Sequence, residues 1–284
     1  MRPSTLFLFF FFSFCSNFVL SQNIQPTKRI DSSETSWTLL KYDTKLTFKA
    51  VGHSLSKPAT WKSRDFTKLG ILLAGTTALT VADNPTRDFF QNQKSNFPKV
   101  VRDFGWYFGS PQNYFIANAG LYGFGLITKN EKVRKTSVLI ISSSITTGLI
   151  QTISKSVFGR ARPGSDLDHL DFKPFSSEAK YHSFPSGHTA LSITMAHAIA
   201  KQFDNTWTKI GIYTIGAIPP ISRLIDDAHW ITDIAFSAAI SIIVVDSIDK
   251  YLFNEKTYAY SQKKKHMSWN LKFGGNQIGI VGSF

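Results

Sequence analysis

The chain has 284 residues, a length that fits one helical domain with tails and allows a substantial buried core. Its 32 lysine and arginine residues outnumber 19 acidic residues, and the net charge of +13 suits anionic substrates or an anionic membrane surface. The sequence has no zinc-finger, helix-turn-helix or RNA-binding pattern, so nucleic acid is not an expected partner. Cys15 is the single cysteine and lies in the first apolar stretch, so no disulfide is expected in the rest of the chain.

Residues 1–21 are similar to a secretory signal peptide. Arg2 supplies a positive charge, a phenylalanine-rich apolar stretch follows it, and Ser21 ends an acceptable cleavage site. An uncleaved membrane anchor is the alternative. We therefore expect export to the periplasm or cell envelope. The polar residues 22–65 show no sustained hydrophobic period, and we interpret them as an extended N-terminal arm.

Six apolar stretches, separated by charged, polar or proline-containing segments, predict the core helices. They are Gly70–Ala82, Tyr114–Thr128, Ser137–Ser154, His188–Ala200, Ile210–Ile221 and Trp230–Asp249. This pattern predicts an all-α domain over residues 66–250, built as a helical bundle of about six core helices. The aromatic residues within 86–112 either line a groove or belong to the core. Residues 251–284 form a basic, glycine-rich tail in which a short hairpin is an option.

The apolar stretches allow both a soluble and a membrane-embedded bundle. A spanning helix needs about 20 apolar residues, and Lys201, Pro219-Pro220 and the many hydroxyl residues of 137–154 interrupt the candidates. The mean hydropathy of −0.07 is also low for a six-span protein. Basic residues clustered between the helices favour spanning. We expect a soluble or peripheral protein, with integral membrane insertion as the alternative.

Three short motifs contain the residue types that handle a phosphoryl group. They are Lys155-Ser-Val-Phe-Gly-Arg-Ala-Arg162-Pro163, Pro185-Ser186-Gly187-His188 and Ser222-Arg223-Leu-Ile-Asp-Asp-Ala-His229-Trp-Ile-Thr-Asp233. On a helix ended by Pro163, Lys155 and Arg162 would share a face. On another helix, Asp233 would reach the ring of His229. The second motif predicts a turn that opens a helix, whose first N–H groups attract anions. Each motif alone also fits a solvated helix face or an ordinary turn, so the argument for function depends on their combination.

Together the motifs resemble the signature of the type 2 phosphatidic acid phosphatase and vanadium haloperoxidase superfamily. That signature is K-x6-R-P, then P-S-G-H, then S-R-x5-H-x3-D, and the chain matches every defined position in order. The resemblance implies a bundle with its active site at one end. It also implies hydrolysis of phosphomonoesters or diphosphates, carried by a phosphorylated lipid or a small soluble ester, through a phosphohistidine. The predicted signal peptide would place this reaction on the extracytoplasmic side. Vanadate-dependent haloperoxidase chemistry is the alternative.

The resemblance further implies a role for each motif residue. His229 would attack phosphorus, Asp233 would orient it, and His188 would protonate the leaving group. The remaining residues would hold the phosphate oxygens: Lys155, Arg162, Ser186, Gly187 and Arg223. This scheme requires no metal and no cofactor. In the haloperoxidase alternative, His229 would coordinate vanadate.

Two acidic segments lie near the motifs. Residues 166–171 hold three aspartates and a histidine, but they lack a recognised calcium or zinc spacing, so we interpret them as a solvated loop. Asp226 and Asp227 stand between Arg223 and His229. They either support the cations of the site or are exposed helix residues.

Overall fold

The computed structural model describes residues 35–254, residue 258 and the segments 268–274 and 277–283. The predicted signal peptide and residues 22–34 of the predicted arm lie outside the described residues. The helices of the described part are α1 (Ser36–Ser56), α2 (Ser63–Leu79), α3 (Asp83–Gln93), α4 (Lys99–Gly109), α5 (Pro111–Ile127), α6 (Glu131–Phe158), α7 (Gly187–Ala200), α8 (Thr206–Ile225) and α9 (Ile231–Asp249). The all-α class is thereby confirmed.

Each of the six predicted core helices is present, and polar caps set where two of them begin. α6 begins after Asn130, whose side chain accepts a hydrogen bond from the Val133 N–H at 3.1 Å. α8 begins after Asn205, whose side chain accepts from the Thr208 N–H at 3.0 Å. Such caps satisfy N–H groups of the first turn. Both helices therefore start several residues before the apolar stretches that predicted them.

Helix α1 corrects the prediction of an extended arm for residues 36–56. The buried residues of this helix recur at helical spacing: Leu39, Asp43, Leu46, Thr47, Ala50 and Val51. Two members of this buried face are polar, so the face does not stand out as a hydrophobic stripe. α1 packs against α5, α6 and α9 and is part of the bundle.

A buried ion pair fixes α1 to the bundle. Asp43 accepts hydrogen bonds from Arg134 of α6 at 2.8 and 3.1 Å and from Tyr122 of α5 at 2.8 Å. The Tyr258 hydroxyl donates to the same carboxylate. We call these four residues the Asp43 cluster. Because a buried carboxylate needs such partners, the cluster ties together α1, α5, α6 and the start of the C-terminal tail.

Helix α6 runs through the core although it is rich in serine and threonine. The hydroxyls of Ser142, Ser144 and Thr146 each donate to the carbonyl four residues earlier in the helix. Hydroxyls bonded in this way are buried without leaving a polar atom unsatisfied. Leu139 and Ile140 of the same helix are fully buried in the main hydrophobic cluster with residues of α7 and α9.

Two helices of the described part are long and apolar enough to cross a membrane, judged by length and composition. They are Glu131–Phe158 and Ile231–Phe253. In the most apolar 18-residue stretch of each segment, 56% and 50% of the residues, respectively, are buried inside the bundle. Core helices of soluble proteins meet the same criteria. The finding therefore fits both the soluble bundle and the membrane alternative.

The glycine-rich tail contains a two-stranded antiparallel hairpin. Strand β1 (Ser268–Gly274) pairs with β2 (Gln277–Ser283), and Gly274 lies opposite Gln277 at the turn. The segment that the sequence offered as a short hairpin therefore forms one.

The helix ends that carry the motifs meet at one end of the bundle: the C-termini of α6 and α8 and the N-termini of α7 and α9. Helix α4 lies against this end and packs closely at two glycines. A Cβ at Gly105 would lie 2.3 Å from Ser222 Oγ, and one at Gly109 would lie 2.6 Å from His188 Cδ2. Glycine at both positions therefore lets α4 approach the motif residues.

Candidate active site

The first motif leaves its helix earlier than predicted. Gly159, and not Pro163, ends α6: it adopts the left-handed conformation with φ 56°, and its N–H donates to the Lys155 carbonyl at 3.0 Å. A Cβ there would lie 1.9 Å from the Lys173 carbonyl oxygen. Arg162 therefore lies in an extended segment, where its N–H donates to the Lys180 carbonyl at 2.8 Å. The prediction that Lys155 and Arg162 share a helix face is wrong.

The two cations meet nevertheless, because a loop brings a common acceptor to them. Lys155 Nζ donates to the His182 carbonyl at 2.5 Å, and Arg162 Nη2 donates to the same oxygen at 3.2 Å. Burial, followed by the charge of Arg162, lowers the pKa of Lys155 to about 7. The bonded partners are carbonyl oxygens and not carboxylates. The positive charge is therefore poorly compensated, as in a site that awaits an anion.

Arg223 is the third cation and is almost fully buried. Its Nη2 donates to Asp226 at 2.7 Å, and its guanidinium lies 4.7 Å from the Trp106 ring centre. Burial lowers the pKa of Arg223, and the charge of Arg162 adds to this effect. We call Lys155, Arg162 and Arg223 the cation cluster.

The neighbouring aspartates support the loop that carries Arg223. Asp226 also accepts from Arg102 of α4, at 2.7 and 3.0 Å. Asp227 accepts two hydrogen bonds from the guanidinium group of Arg87 in α3, at 2.7 and 2.8 Å. The sequence left open whether these aspartates support the site cations or are exposed helix residues. Asp226 does contact a site cation, Arg223, whereas Asp227 joins the loop to α3.

The second motif forms the predicted turn into a helix. Ser186 is the N-cap of α7, and its hydroxyl accepts from the Thr189 hydroxyl at 3.0 Å and from the Thr189 N–H at 3.5 Å. Gly187 is the first residue of the helix, and a Cβ there would lie 2.9 Å from Gln151 Nε2. The first N–H groups of a helix lack partners within it. The motif therefore presents donors at the same end of the bundle as the cation cluster.

His188 faces the helix that lies against the motif end of the bundle. Its ring centre lies 5.2 Å from that of Trp106. His188 Nε2 is buried and has no hydrogen-bond partner among the described residues. Burial, with the charges of Arg223, His229 and Arg162, lowers the pKa of His188 to about 3. Of the aromatic residues in the 86–112 segment, Trp106 thus contacts the site.

His229 and Asp233 meet, but not as neighbours on one helix. His229 precedes α9, whereas Asp233 lies in its first turn and accepts the Trp230 N–H at 2.9 Å. His229 Nδ1 lies 3.5 Å from Asp233 Oδ2, a contact that is longer than a well-formed hydrogen bond. Catalytic hydrogen bonds are often long in a substrate-free enzyme.

Burial and the neighbouring charges together determine the protonation states of this pair. Burial is the main reason why the pKa of His229 is lowered to about 4. The charges of Lys155 and Arg162 also lower this pKa, whereas Asp233 raises it. The pKa of Asp233 is below its ordinary value, because its contact with the His229 ring and the charge of Arg160 outweigh the opposing effect of burial. At neutral pH the site thus holds a neutral imidazole beside a carboxylate.

Comparison with known proteins finds a family that resembles this chain. The PAP2 superfamily model matches residues 136–254, which include all three motifs. The chain is 26% identical over 156 residues to a lipid A 1-phosphatase of Porphyromonas gingivalis, covering 53% of this chain and 32% of that protein. It is 29% identical over 131 residues to a lipid A 4'-phosphatase of the same organism, covering 44% of this chain and 52% of that protein.

The chain thus spans between about a third and about half of the length of these two curated relatives. Among solved structures, it is similar to the crystal structure of Aquifex aeolicus LpxE. The sequence identity is 22%, the TM-score is 0.44, and the alignment covers 58% of this chain and 94% of that chain.

Residues outside the motif positions complete the candidate site. Asp233 Oδ1 accepts from Arg160 Nη1 at 2.8 Å, and its Oδ2 accepts from the Ser183 hydroxyl at 2.5 Å. Arg160 Nη2 in turn donates to Asp83 at 2.6 Å. Arg160 falls at an undefined position of the first motif, and Ser183 stands two residues before Pro185. Asp83 and Trp106 precede the residues matched by the family model, so the motif pattern does not reveal them.

Proposed function

We propose that this protein is a phosphatase that hydrolyses a phosphoric ester through a phosphohistidine at His229. The observation that carries this proposal is that a buried histidine, His229, and a partly buried one, His188, lie within electrostatic reach of the cation cluster. The charge of Arg162 lowers the pKa of Lys155, Arg223, His188 and His229. Such a convergence stabilises a bound phosphoryl group and the charge that develops during its transfer.

The reaction would proceed in two steps. In the first, the other ring nitrogen of His229, Nε2, attacks phosphorus while the ester P–O bond breaks, and His188 donates a proton to the leaving oxygen. Phosphorylation makes the His229 ring cationic, and the Asp233 carboxylate stabilises it through Nδ1–H. In the second step His188 accepts a proton from water, the water oxygen attacks phosphorus, and the P–N bond breaks to release phosphate.

His188 is neutral before substrate binds, since its pKa is about 3. The cations Arg223 and Arg162 contribute to this low pKa. A bound phosphate dianion offsets their charge and therefore raises the pKa of His188. Substrate binding would thus create the general acid that the first step requires.

We propose a phosphorylated lipid as the substrate, with small phosphoesters as weaker substrates. The names of the curated relatives, lipid A 1-phosphatase and lipid A 4'-phosphatase, support this class and favour phosphatase over haloperoxidase chemistry. The ring of Trp106 is half exposed beside His188, where the leaving group would lie. An exposed aromatic ring offers an apolar surface to a lipid leaving group. Extracytoplasmic location remains a prediction from the N-terminal sequence.

The testing experiment measures phosphate release by residues 22–284, with and without detergent. The substrates are p-nitrophenyl phosphate, phosphatidate, a prenyl diphosphate and a lipid A bisphosphate. We expect release from at least one lipid and a loss of at least about 10⁴-fold in His229→Ala. The matched control is His197→Ala, since His197 bonds Tyr213 and Asp246 at the other end of α7. Wild-type activity in His229→Ala would refute the nucleophile, and no release from any ester would refute the phosphatase.

A further inference from the structure

Arg160 connects the candidate nucleophile pair to a helix outside the family match. We propose that Arg160 is a positioning residue for Asp233 and His229, and that Asp83 of α3 holds Arg160 in place. This inference rests on the proposed phosphatase function. It assigns a role to an arginine that the three motifs leave undefined and to an aspartate 77 residues before it in the chain.

The guanidinium of Arg160 is bonded on every nitrogen. Nε donates to the His169 carbonyl at 2.9 Å, and Nη2 donates to Asp83 Oδ2 at 2.6 Å. Nη1 donates to Thr232 Oγ1 at 2.5 Å and to Asp233 Oδ1 at 2.8 Å. Arginine presents these donors in a rigid plane, and the side chain is 3% exposed. The position and the orientation of its contact with Asp233 are therefore both fixed.

The contacts of Asp233 show what this arrangement achieves. Arg160 holds Oδ1, while the Ser183 hydroxyl and the Trp230 N–H hold Oδ2 at 2.5 and 2.9 Å. The same Oδ2 faces His229 Nδ1 at 3.5 Å. Three donors from separate segments thus prevent rotation of the carboxylate, and the oxygen that must accept the imidazole proton is aimed at it.

Charge balance gives Arg160 a second task. Asp83 and Asp233 are both fully buried and lie on either side of this one guanidinium. A buried carboxylate without a counter-ion binds a proton instead of remaining charged. The other charged groups that act on Asp233 are His229, Lys155 and Arg162, which belong to the phosphate site itself. Arg160 therefore keeps Asp233 anionic before substrate arrives.

Asp83 holds Arg160 through Nη2, a nitrogen that does not bond Asp233. Besides Arg160, its carboxylate accepts the Thr232 N–H at 3.1 Å and the Thr232 hydroxyl at 2.9 Å. It thereby joins the first residue of α3 to the first turn of α9. The positioning unit consequently extends beyond residues 136–254, the part that the PAP2 superfamily model matches.

The experiment compares Arg160→Met, Arg160→Lys, Asp83→Asn and the double variant Arg160→Met/Asp83→Asn in the full chain. The matched control is Arg134→Met, which also removes a fully buried arginine from an aspartate but does so in the Asp43 cluster. Melting temperature, kcat and the pH profile of kcat/KM are measured for each. We expect kcat to fall by about 100-fold in Arg160→Met, the lower end of what a positioned proton-transfer group contributes.

The pH profile separates positioning from folding. Loss of the cation favours protonation of the coupled Asp233–His229 pair, so the acidic limb of kcat/KM, which reports that pair, moves upward by about one pH unit or more in Arg160→Met. Arg160→Lys keeps the charge and retains the position of that limb. Arg134→Met lowers the melting temperature and leaves the limb in place. An unchanged limb in Arg160→Met would overturn the proposal.

The double variant keeps the test valid if Arg160→Met alone does not fold, because it removes the uncompensated Asp83 charge. We expect it to recover melting temperature but not kcat. Recovery of wild-type kcat would show that Arg160 merely neutralises Asp83, and the proposal would fail.

An NMR measurement with bound inorganic phosphate is independent of turnover. We expect a strongly downfield Nδ1–H proton of His229 in the wild type and its loss in the double variant. If no ester is hydrolysed, this signal still tests the positioning role, so its failure is distinguishable from failure of the proposed function. Persistence of the signal in the double variant would overturn the proposal.

Discussion

In the proposed phosphatase, Lys155 would make the binding of phosphate depend on pH. Its pKa is about 7 in the substrate-free protein instead of 10.5, because the ammonium group is buried and lies near Arg162. A phosphate dianion in the site would restore the charged form and return the pKa of Lys155 towards its ordinary value. Above pH 7, binding of phosphate must therefore be accompanied by uptake of a proton, and affinity must fall as pH rises.

The magnitude follows from the difference between the two protonation states. With a pKa of about 7 in the free protein, the neutral fraction of Lys155 rises from about three quarters at pH 7.5 to nearly all at pH 9. If the complex keeps Lys155 charged, the dissociation constant for inorganic phosphate increases by about 25-fold over this interval. At pH 8.5, close to one proton is taken up per phosphate bound.

Isothermal titration calorimetry in buffers with different ionisation heats measures both quantities. Lys155→Met is the matched control, since it removes the titrating group and leaves any protonation of phosphate itself unchanged. We expect weak binding in this variant, with a dissociation constant that is nearly flat between pH 7.5 and 9. Equal proton uptake by the wild type and Lys155→Met would refute the reasoning about the buried ammonium group.

Three further predictions concern two close approaches in the fold and the absence of a metal from the proposed chemistry. Gly109→Ala places a Cβ 2.6 Å from the His188 ring, so kcat should fall by about 100-fold through displacement of that ring. Gly120→Ala, which meets nothing within 4 Å, should keep wild-type kcat, and equal activities would contradict the argument. Gly159→Ala should lower the free energy of unfolding by about 3 kcal/mol, because Gly159 has a positive φ and a Cβ there would meet the Lys173 carbonyl. Urea titration measures this change, and an unchanged unfolding midpoint would count against the argument. EDTA should leave turnover unchanged, and a loss reversed by added metal would contradict the scheme.

The sequence predicts the composition of the site better than its local structure. The three motifs lie together at one end of the bundle, as their combination in this order predicted, whereas the roles of their residues stay predictions. The expected helix faces are wrong, because Gly159 ends α6 before Arg162 and because His229 precedes α9. Both contacts arise instead from loops, where a common carbonyl acceptor or a helix cap brings the side chains together. Such contacts have no periodicity that a sequence pattern could reveal.

Helix α1 shows how buried charge conceals a core element. Asp43 and Thr47 occupy positions on its buried face where a hydrophobic pattern expects apolar residues. Their burial depends on Arg134, 91 residues later, and on Tyr258 in the tail. The same applies to Asp83 and Arg160, whose pairing exists only after α3 has packed against the motif end of the bundle. Long-range ion pairs of this kind must be found from tertiary structure.

The Asp43 cluster has a consequence for how this protein can be extended. Arg134 and Lys155 lie near opposite ends of α6, separated by about 30 Å at 1.5 Å per residue. Helix α1 and Tyr258 are both fastened to the end that is remote from the cation cluster. A reporter domain or a surface tether joined before α1 or beyond Tyr258 would therefore start far from the cation cluster. The molecule thus offers two neighbouring attachment points that are remote from the candidate site.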